Sequence, residues 1–322
     1  MLTVKNAFVQ STGISQIINE IEMKKGAGHR RCPEHLVVVG PSGSGKTTLI
    51  EHLKQRFPRT VSENDERDIL PLLSASFLKD VSTLAMVRHL LKQLGDPDFE
   101  ERDLDTAYNK LWHLLEACQV DFICFDEFHN IRKGESLAVS PASEKFIKDL
   151  SNHSKAVLIV FGTQEAEDLI DAVDELDTRF NEYLYMPTYS VFGDQRAEFV
   201  AYLEGLSGYA EVDNPDFLYL KDLPERLYVA TKANPRAIAR LIDRAVVFAK
   251  RDGRSLLKHD DFYQAALRFK SSKRQAHVFR LSDKKFEKLF QSGSFNSTDW
   301  KRSFEVLKNY FSKKHNFLES YC

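Results

Sequence analysis

The segment Gly40-Pro41-Ser42-Gly43-Ser44-Gly45-Lys46-Thr47 constrains this chain more than any other stretch of it. It fits the pattern GxxxxGK[ST] in full, between an apolar run, Leu36–Val39, and a helically spaced set, Leu49, Ile50, Leu53 and Phe57, that Pro58 stops. Glycines let backbone N–H groups curl around a phosphate, and the helix start adds positive partial charge. Lys46 supplies a mobile cation, and the Thr47 hydroxyl can ligate Mg²⁺. Strand, glycine-rich loop and helix in that order demand an α/β fold with the loop at the carboxyl end of a strand.

The rest of the first two thirds continues the alternation. An apolar stretch at 69–73 leads to Ser82, which can cap a helix bearing Leu84, Val87, Leu91 and Leu94 and closing at Gly95. A helix is expected over 104–118, a strand over 120–125, a short helix over 143–150, a buried strand over 156–161 and a last strand over 183–186. This order predicts a parallel sheet with helices on both faces. From Gly193 the strand signal stops, and helices near 195–206, Pro235–Arg251 and 260–270 predict a small all-helical subdomain, with Pro235 at a helix start. The expected domains are 1–192, 193–275 and a basic helical extension, 276–322.

Composition sets the outer bounds. With 322 residues, 43% hydrophobic and 29% charged, the chain has length and apolar content for a buried core, which excludes collagen-like and largely disordered classes. No apolar run reaches bilayer length, so no membrane association is expected. Residues 1–10 lack a basic start followed by an apolar stretch, and a cytoplasmic location is expected. Cys32, Cys118, Cys124 and Cys322 are scattered, with no CxxC pair, and are expected to be reduced thiols. The net charge of −2 hides an asymmetry: residues 268–314 hold 13 Lys or Arg against 4 Asp or Glu, an excess of nine that leaves −11 elsewhere.

A second constellation follows the loop. Phe122-Ile123-Cys124-Phe125-Asp126-Glu127 reads as an apolar strand delivering two acids to one sheet edge. Asp126 is placed to hold magnesium through water and Glu127 to polarise the water that attacks a γ-phosphate. A nucleotide kinase must exclude water, so the adjacent Glu favours hydrolysis. Gly162-Thr163-Gln164 closes the next strand and sets a polar side chain near these acids. Arg179 stands just before the last strand and Arg236 begins the long helix of the second region; a surface arginine is by default a solvated charge.

Together GPSGSGKT, Asp126-Glu127-Phe128-His129-Asn130, Phe161-Gly162-Thr163, Leu176-Asp177-Thr178-Arg179-Phe180 and Asn234-Pro235-Arg236 resemble an AAA+ ATPase, and more narrowly the TniB/TnsC family of transposition regulators, over roughly residues 10–270. The resemblance implies ATP and Mg²⁺ as cofactors. It assigns Gly40, Pro41, Ser42, Gly43, Ser44, Gly45, Lys46, Thr47 and Thr48 to nucleotide binding, and Thr47 and Asp126 to the metal. Glu127 is then the catalytic carboxylate, Thr163 the first sensor, Arg179 an arginine finger acting on a neighbouring subunit, and Arg236 the second sensor on a helical lid. A finger in trans requires a homo-oligomer, and the family implies rings or helical filaments on double-stranded DNA, recruited by a TniQ-type targeting protein and read by a transposase.

DNA contacts must come from local cations. Lys79, Arg88 and Lys92 lie on or beside one short helix, in a region that the resemblance places at the pore. In the tail, Lys270, Lys273, Arg274, Lys284, Lys285, Lys288, Lys301 and Arg302 alternate with Phe279, Phe286, Phe290, Phe295 and Trp300, a pattern shared by nucleic-acid docking and a helical core with a wet outer face. No helix-turn-helix or zinc pattern predicts sequence-specific readout. A replication-initiator or clamp-loader-like ATPase has the same catalytic residues and stays open at this stage. So does a nucleotide-dependent scaffold with negligible turnover. A small-molecule kinase needs an acceptor pocket that the sequence does not offer.

Overall fold

The computed structural model describes residues 4, 7–26, 34–61, 68–77, 79, 82–132, 138–212, 218, 220–269 and 273–291. Two compact units make up the chain: Thr12–Pro187, and Met1–Ser11 together with Thr188–Cys322.

The first unit is built on a five-stranded parallel sheet of β1 (Leu36–Val39), β4 (Leu72–Ser76), β5 (Phe122–Asp126), β6 (Val157–Gly162) and β7 (Glu182–Tyr185), in the order β4-β5-β6-β1-β7. The strands with a neighbour on each side, β5, β6 and β1, are buried along their whole length, which is why they read as unbroken apolar runs. At the edges, β7 (Glu-Tyr-Leu-Tyr) is half-exposed and β4 ends on an exposed Ser76. A separate two-stranded antiparallel ribbon joins β2 (Thr60–Val61) and β3 (Asp68–Ile69).

Around the sheet pack α1 (Thr12–Met23), α2 (Lys46–Arg56), α3 (Thr83–Leu94), α4 (Leu104–Ala117), α5 (Pro141–His153), α6 (Gln164–Asp171) and the single turn α7 (Asp174–Asp177). Ser82 caps α3 by accepting from Ala85 N–H at 3.3 Å, and Gly95 ends it at φ 90°, as the sequence predicts. The buried face of α3 is Thr83, Met86, Val87, Leu90, Leu91 and Leu94, while Leu84 is only partly buried. The N-terminal helix α1 carries Ile14, Ile17, Ile18 and Ile21 on its buried face, a helical spacing that the sequence displays before the glycine-rich loop.

The second unit is helical: α8 (Gln195–Ser207), α9 (Leu223–Thr231), α10 (Pro235–Arg251), α11 (His259–Leu267), a 3-10 segment (Lys273–Arg280) and α12 (Asp283–Gln291). Asn234 caps α10 by accepting from Ala237 N–H at 3.1 Å, with Pro235 in the first turn. Ala276, Val278, Phe279 and Phe286 are buried in the same core as α8 to α11, so the described part of the C-terminal segment supplies core side chains. Arg226, fully buried on α9, ties that segment down. Its guanidinium donates to the Val278 and Leu281 carbonyls and to Asp283 Oδ1 at 3.1 Å, and lies 4.5 Å over the Phe286 ring. The calls on Lys270, Phe295, Trp300, Lys301 and Arg302 fall outside the described residues. Among the described residues no helix is long and apolar enough to cross a membrane. Cys118 and Cys124 are free and buried, and burial pushes both thiols up; Cys32 and Cys322 lie outside the described residues.

Candidate functional site

The glycine-rich loop leaves the carboxyl end of β1 and turns into α2 through Gly45, whose φ of 102° only glycine adopts without strain. The loop is pinned at its start, where Gly40 N–H donates to the Gly162 carbonyl at 3.0 Å at the end of neighbouring β6. Lys46 is buried, and its ammonium donates to the carbonyls of Gly40 at 2.6 Å and Pro41 at 3.2 Å, so the cation is folded over its own loop. Ser44 Oγ is buried against Gly40 without a hydrogen-bond partner. Pro41 and Ser42 are exposed, Gly43 is buried and Thr48 is half-buried.

Two strands away in the sheet, β5 brings Asp126 beside the loop. Thr47 Oγ1 donates to Asp126 Oδ2 at 2.6 Å, joining residues 79 positions apart in the chain. A hydroxyl and a carboxylate side by side are a donor set that suits a hard divalent cation. Asp126 Oδ1 in turn accepts from the Glu127 N–H at 2.8 Å, which fixes the carboxylate plane.

Glu127 itself is exposed and stands in the left-handed region, at φ 54° and ψ 39°, a backbone conformation that costs a non-glycine residue and recurs at functional sites. The turn swings its carboxylate to within 3.2 Å of His129 Nε2, while His129 Nδ1 is buried without a partner. His129 is a neighbour of the catalytic candidate that sequence reasoning passed over, although it stands two residues away in the same motif. Thr163, half-buried, follows β6 at the same sheet edge and begins α6; Gly162 permits this close return, since a Cβ there meets Ala166 Cβ at 2.2 Å. Gln164, by contrast, directs its amide to Glu167 Oε2 of its own helix at 2.8 Å.

Arg179 lies at the other end of the sheet. Its carbonyl accepts from the N–H of His35, the residue just before β1, at 3.3 Å, whereas the glycine-rich loop begins just after β1. One strand length separates them, roughly 16 Å at the rise of an extended chain. The guanidinium donates to the Glu175 carbonyl at 2.7 Å and to Asn152 Oδ1 at 3.2 Å. Beneath it, His35 is fully buried: its Nδ1 accepts from Leu158 N–H at 3.2 Å, so Nε2 carries the proton toward Ser151 Oγ at 2.9 Å. Burial first, and the Arg179 charge second, push this imidazole down to about 4. Nothing in the sequence marks Asn152, which stands 27 residues before the arginine it holds.

Arg236 belongs to the helical unit, exposed in the first turn of α10. The chain enters that helix through Lys232 and Ala233, both left-handed at φ 56° and 52°. The three cations proposed to meet DNA are set differently from one another. Lys79 is exposed; Arg88 is half-buried and donates to the Glu101 carbonyl; Lys92 is exposed and lies 5.3 Å over the Phe99 ring.

Residues 3–190 match the family model described as "Bacterial TniB protein". Among curated proteins, tRNA dimethylallyltransferase 1 of Geotalea daltonii is 27% identical over 133 residues, 38% of this chain; the chain spans only 42% of that protein's length. Among solved structures, the ORC1 protein of Aeropyrum pernix in complex with DNA matches with a TM-score of 0.57 at 15% identity, over 95% of this chain and 78% of that one. Cdc6p of Pyrobaculum aerophilum also matches at 0.57, with 14% identity over 95% and 82%. The ORC2 protein of Aeropyrum pernix in its ADPNP-ADP complexes matches at 0.54, with 15% identity over 78% of this chain and 65% of that chain, just under two thirds of its length. At these identities the likeness is one of fold: a five-stranded parallel sheet in the AAA+ order followed by a helical region.

Proposed function

Because the chain belongs to the TniB family, a family of transposition-associated AAA+ proteins, we propose that it is a magnesium-dependent ATPase that assembles on duplex DNA when ATP is bound. The assembly links a target-selection factor of TniQ type to a transposase, and hydrolysis dismantles it. The observation that carries this reading is the split of the machinery between the two ends of one sheet: loop and acids at the carboxyl ends, Arg179 at the amino end.

In this reading the nucleotide phosphates lie on the loop amides, with Lys46 Nζ moving from the Gly40 and Pro41 carbonyls onto a phosphate oxygen. Thr47 and Asp126 are the residues that would hold magnesium, which supplies positive charge to the phosphates when bound. Glu127 accepts a proton from the attacking water as its oxygen bonds to the γ-phosphorus and the bond to the leaving diphosphate breaks. Thr163 orients the water or the γ-phosphate from the neighbouring strand end. Arg179 is too far along the sheet to meet the nucleotide of its own loop, so it serves a neighbour's, where a cation against the transition-state charge gives about 10³ to 10⁵ in rate. Arg236 has the second-sensor role that its Asn-Pro-Arg setting implies, and Lys79, Arg88 and Lys92 contribute cations toward DNA.

The test is assembly on a long duplex with a non-hydrolysable ATP analogue, followed by imaging and sedimentation. The wild-type chain is expected to form a ring or filament on the DNA, and Lys46→Ala is expected to stay unassembled. Normal assembly of Lys46→Ala on DNA with ATP would show that nucleotide is not the switch.

A further inference from the structure

The helix α10 has 17 residues and two unlike faces. One buries Ile238, Leu241, Ile242, Ala245 and Ala249 in the helical core. The other presents Arg236, Arg240 and Arg244, all exposed, at i, i+4 and i+8. At the rise of an α-helix they stand in single file about 6 Å apart.

Several described arginines in this unit have a carboxylate. Arg196 pairs with Glu225, Arg254 with Asp261 and Arg280 with Asp260. None of the three on α10 makes a hydrogen bond or ion pair among the described residues. The one acid on the helix, Asp243, is engaged by the Val4 N–H at 2.8 Å. This arrangement works against the isolated helix, because like charges four residues apart repel and Arg236 in the first turn opposes the helix dipole. Among the described residues the row therefore gains no partner, and it suits an external polyanion.

From this geometry we infer that Arg240 and Arg244, one and two turns beyond the sensor candidate Arg236, form a contact for the sugar-phosphate backbone of duplex DNA. The inference rests on the proposed assembly on DNA and names a surface of the helical unit outside the Lys79, Arg88 and Lys92 group. Guanidinium forks match phosphate oxygens, and a step of about 6 Å is close to the axial spacing of alternate phosphates on one strand, about 6.8 Å. An acidic protein surface fits less well, because protein interfaces centre on buried apolar or aromatic anchors and the large apolar residue on this face is Val247, at the row's far end.

The experiment uses the full chain with a non-hydrolysable ATP analogue and a fluorescent duplex of arbitrary sequence, titrated across a salt series. Arg240→Ala/Arg244→Ala is expected to bind about tenfold or more weakly near 150 mM salt, and the slope of log affinity against log salt is expected to lose about 2. Arg240→Lys/Arg244→Lys should keep the slope, and all variants should bind a fluorescent ATP analogue like wild type. An alanine variant with the wild-type slope and affinity overturns the inference. So does one that loses nucleotide-dependent self-association without DNA, since the row would then be a subunit contact. If the wild-type chain itself binds no duplex, the failure lies with the parent reading.

Discussion

Around the candidate residues, the two ends of the parallel sheet bond their polar groups differently. At the carboxyl end, Ser44 Oγ is buried without a partner, the Lys46 ammonium rests on its own loop's carbonyls, and Glu127 sits in a left-handed turn beside a histidine with an orphaned nitrogen. At the amino end, both nitrogens of buried His35 are bonded, and Arg179 is held by a carbonyl and an amide oxygen. Unsatisfied buried polar atoms cost stability, and a bound group that completes them recovers that cost. A satisfied arginine is pre-set, with part of its entropy already spent. In the proposed function, one end takes a small anionic ligand and the other meets another protomer.

The largest effect that separates the ends is expected from Arg179→Ala, which should lower ATP hydrolysis by about 10³-fold or more while leaving ATP affinity of the same chain intact. Mixed with Lys46→Ala, it should regain part of the activity, because each chain supplies the half that the other lacks. Absence of recovery in a steady-state phosphate-release assay would break the division between the ends. Glu127→Gln should cost about 10² to 10⁴ in turnover yet retain or strengthen the assembly on DNA, measured by sedimentation with ATP.

A third prediction uses pH. His35 has its folded value at about 4, below the ordinary 6.5, so the unfolded chain takes up a proton first as pH falls. Its stabilising contribution is complete above about pH 6.5 and declines toward pH 4, by about 1.4 kcal/mol per pH unit and about 3 kcal/mol in all. Urea unfolding at pH 7 and pH 5 should show that decline in wild type and a shallower one in His35→Gln. The smallest effect is expected from Asn152→Ala, which frees one side of Arg179. Turnover should fall several-fold with unchanged ATP affinity, and Asn152→Asp, which keeps an acceptor, should restore most of it.

Much of the carboxyl end is legible in the sequence because its parts are local. The glycine-rich loop is contiguous from Gly40 to Thr47, and Asp126 and Glu127 close a run so apolar that a central strand is its natural reading. The cap at Ser82, the stop at Gly95 and the helix start at Pro235 are equally local. The helix α9 escapes such reading because it is buried on nearly all sides, which erases the amphipathic period, and Arg226 interrupts it with a charge. The aromatics Phe279 and Phe286, spaced among tail cations, leave core and docking surface undecided until their burial is seen.

What the sequence determined, then, was local structure that depends on neighbours in the chain: which residues form the glycine-rich loop between strand and helix, which acids end a strand, where helices begin. Only the tertiary structure decided which residues meet across the chain, as Thr47 meets Asp126 and Asn152 meets Arg179, and that the finger candidate and the loop stand a strand apart. Backbone periodicity is set by adjacent residues. The pairing of distant side chains follows instead from strand order and from the closure of long loops, which no local pattern encodes.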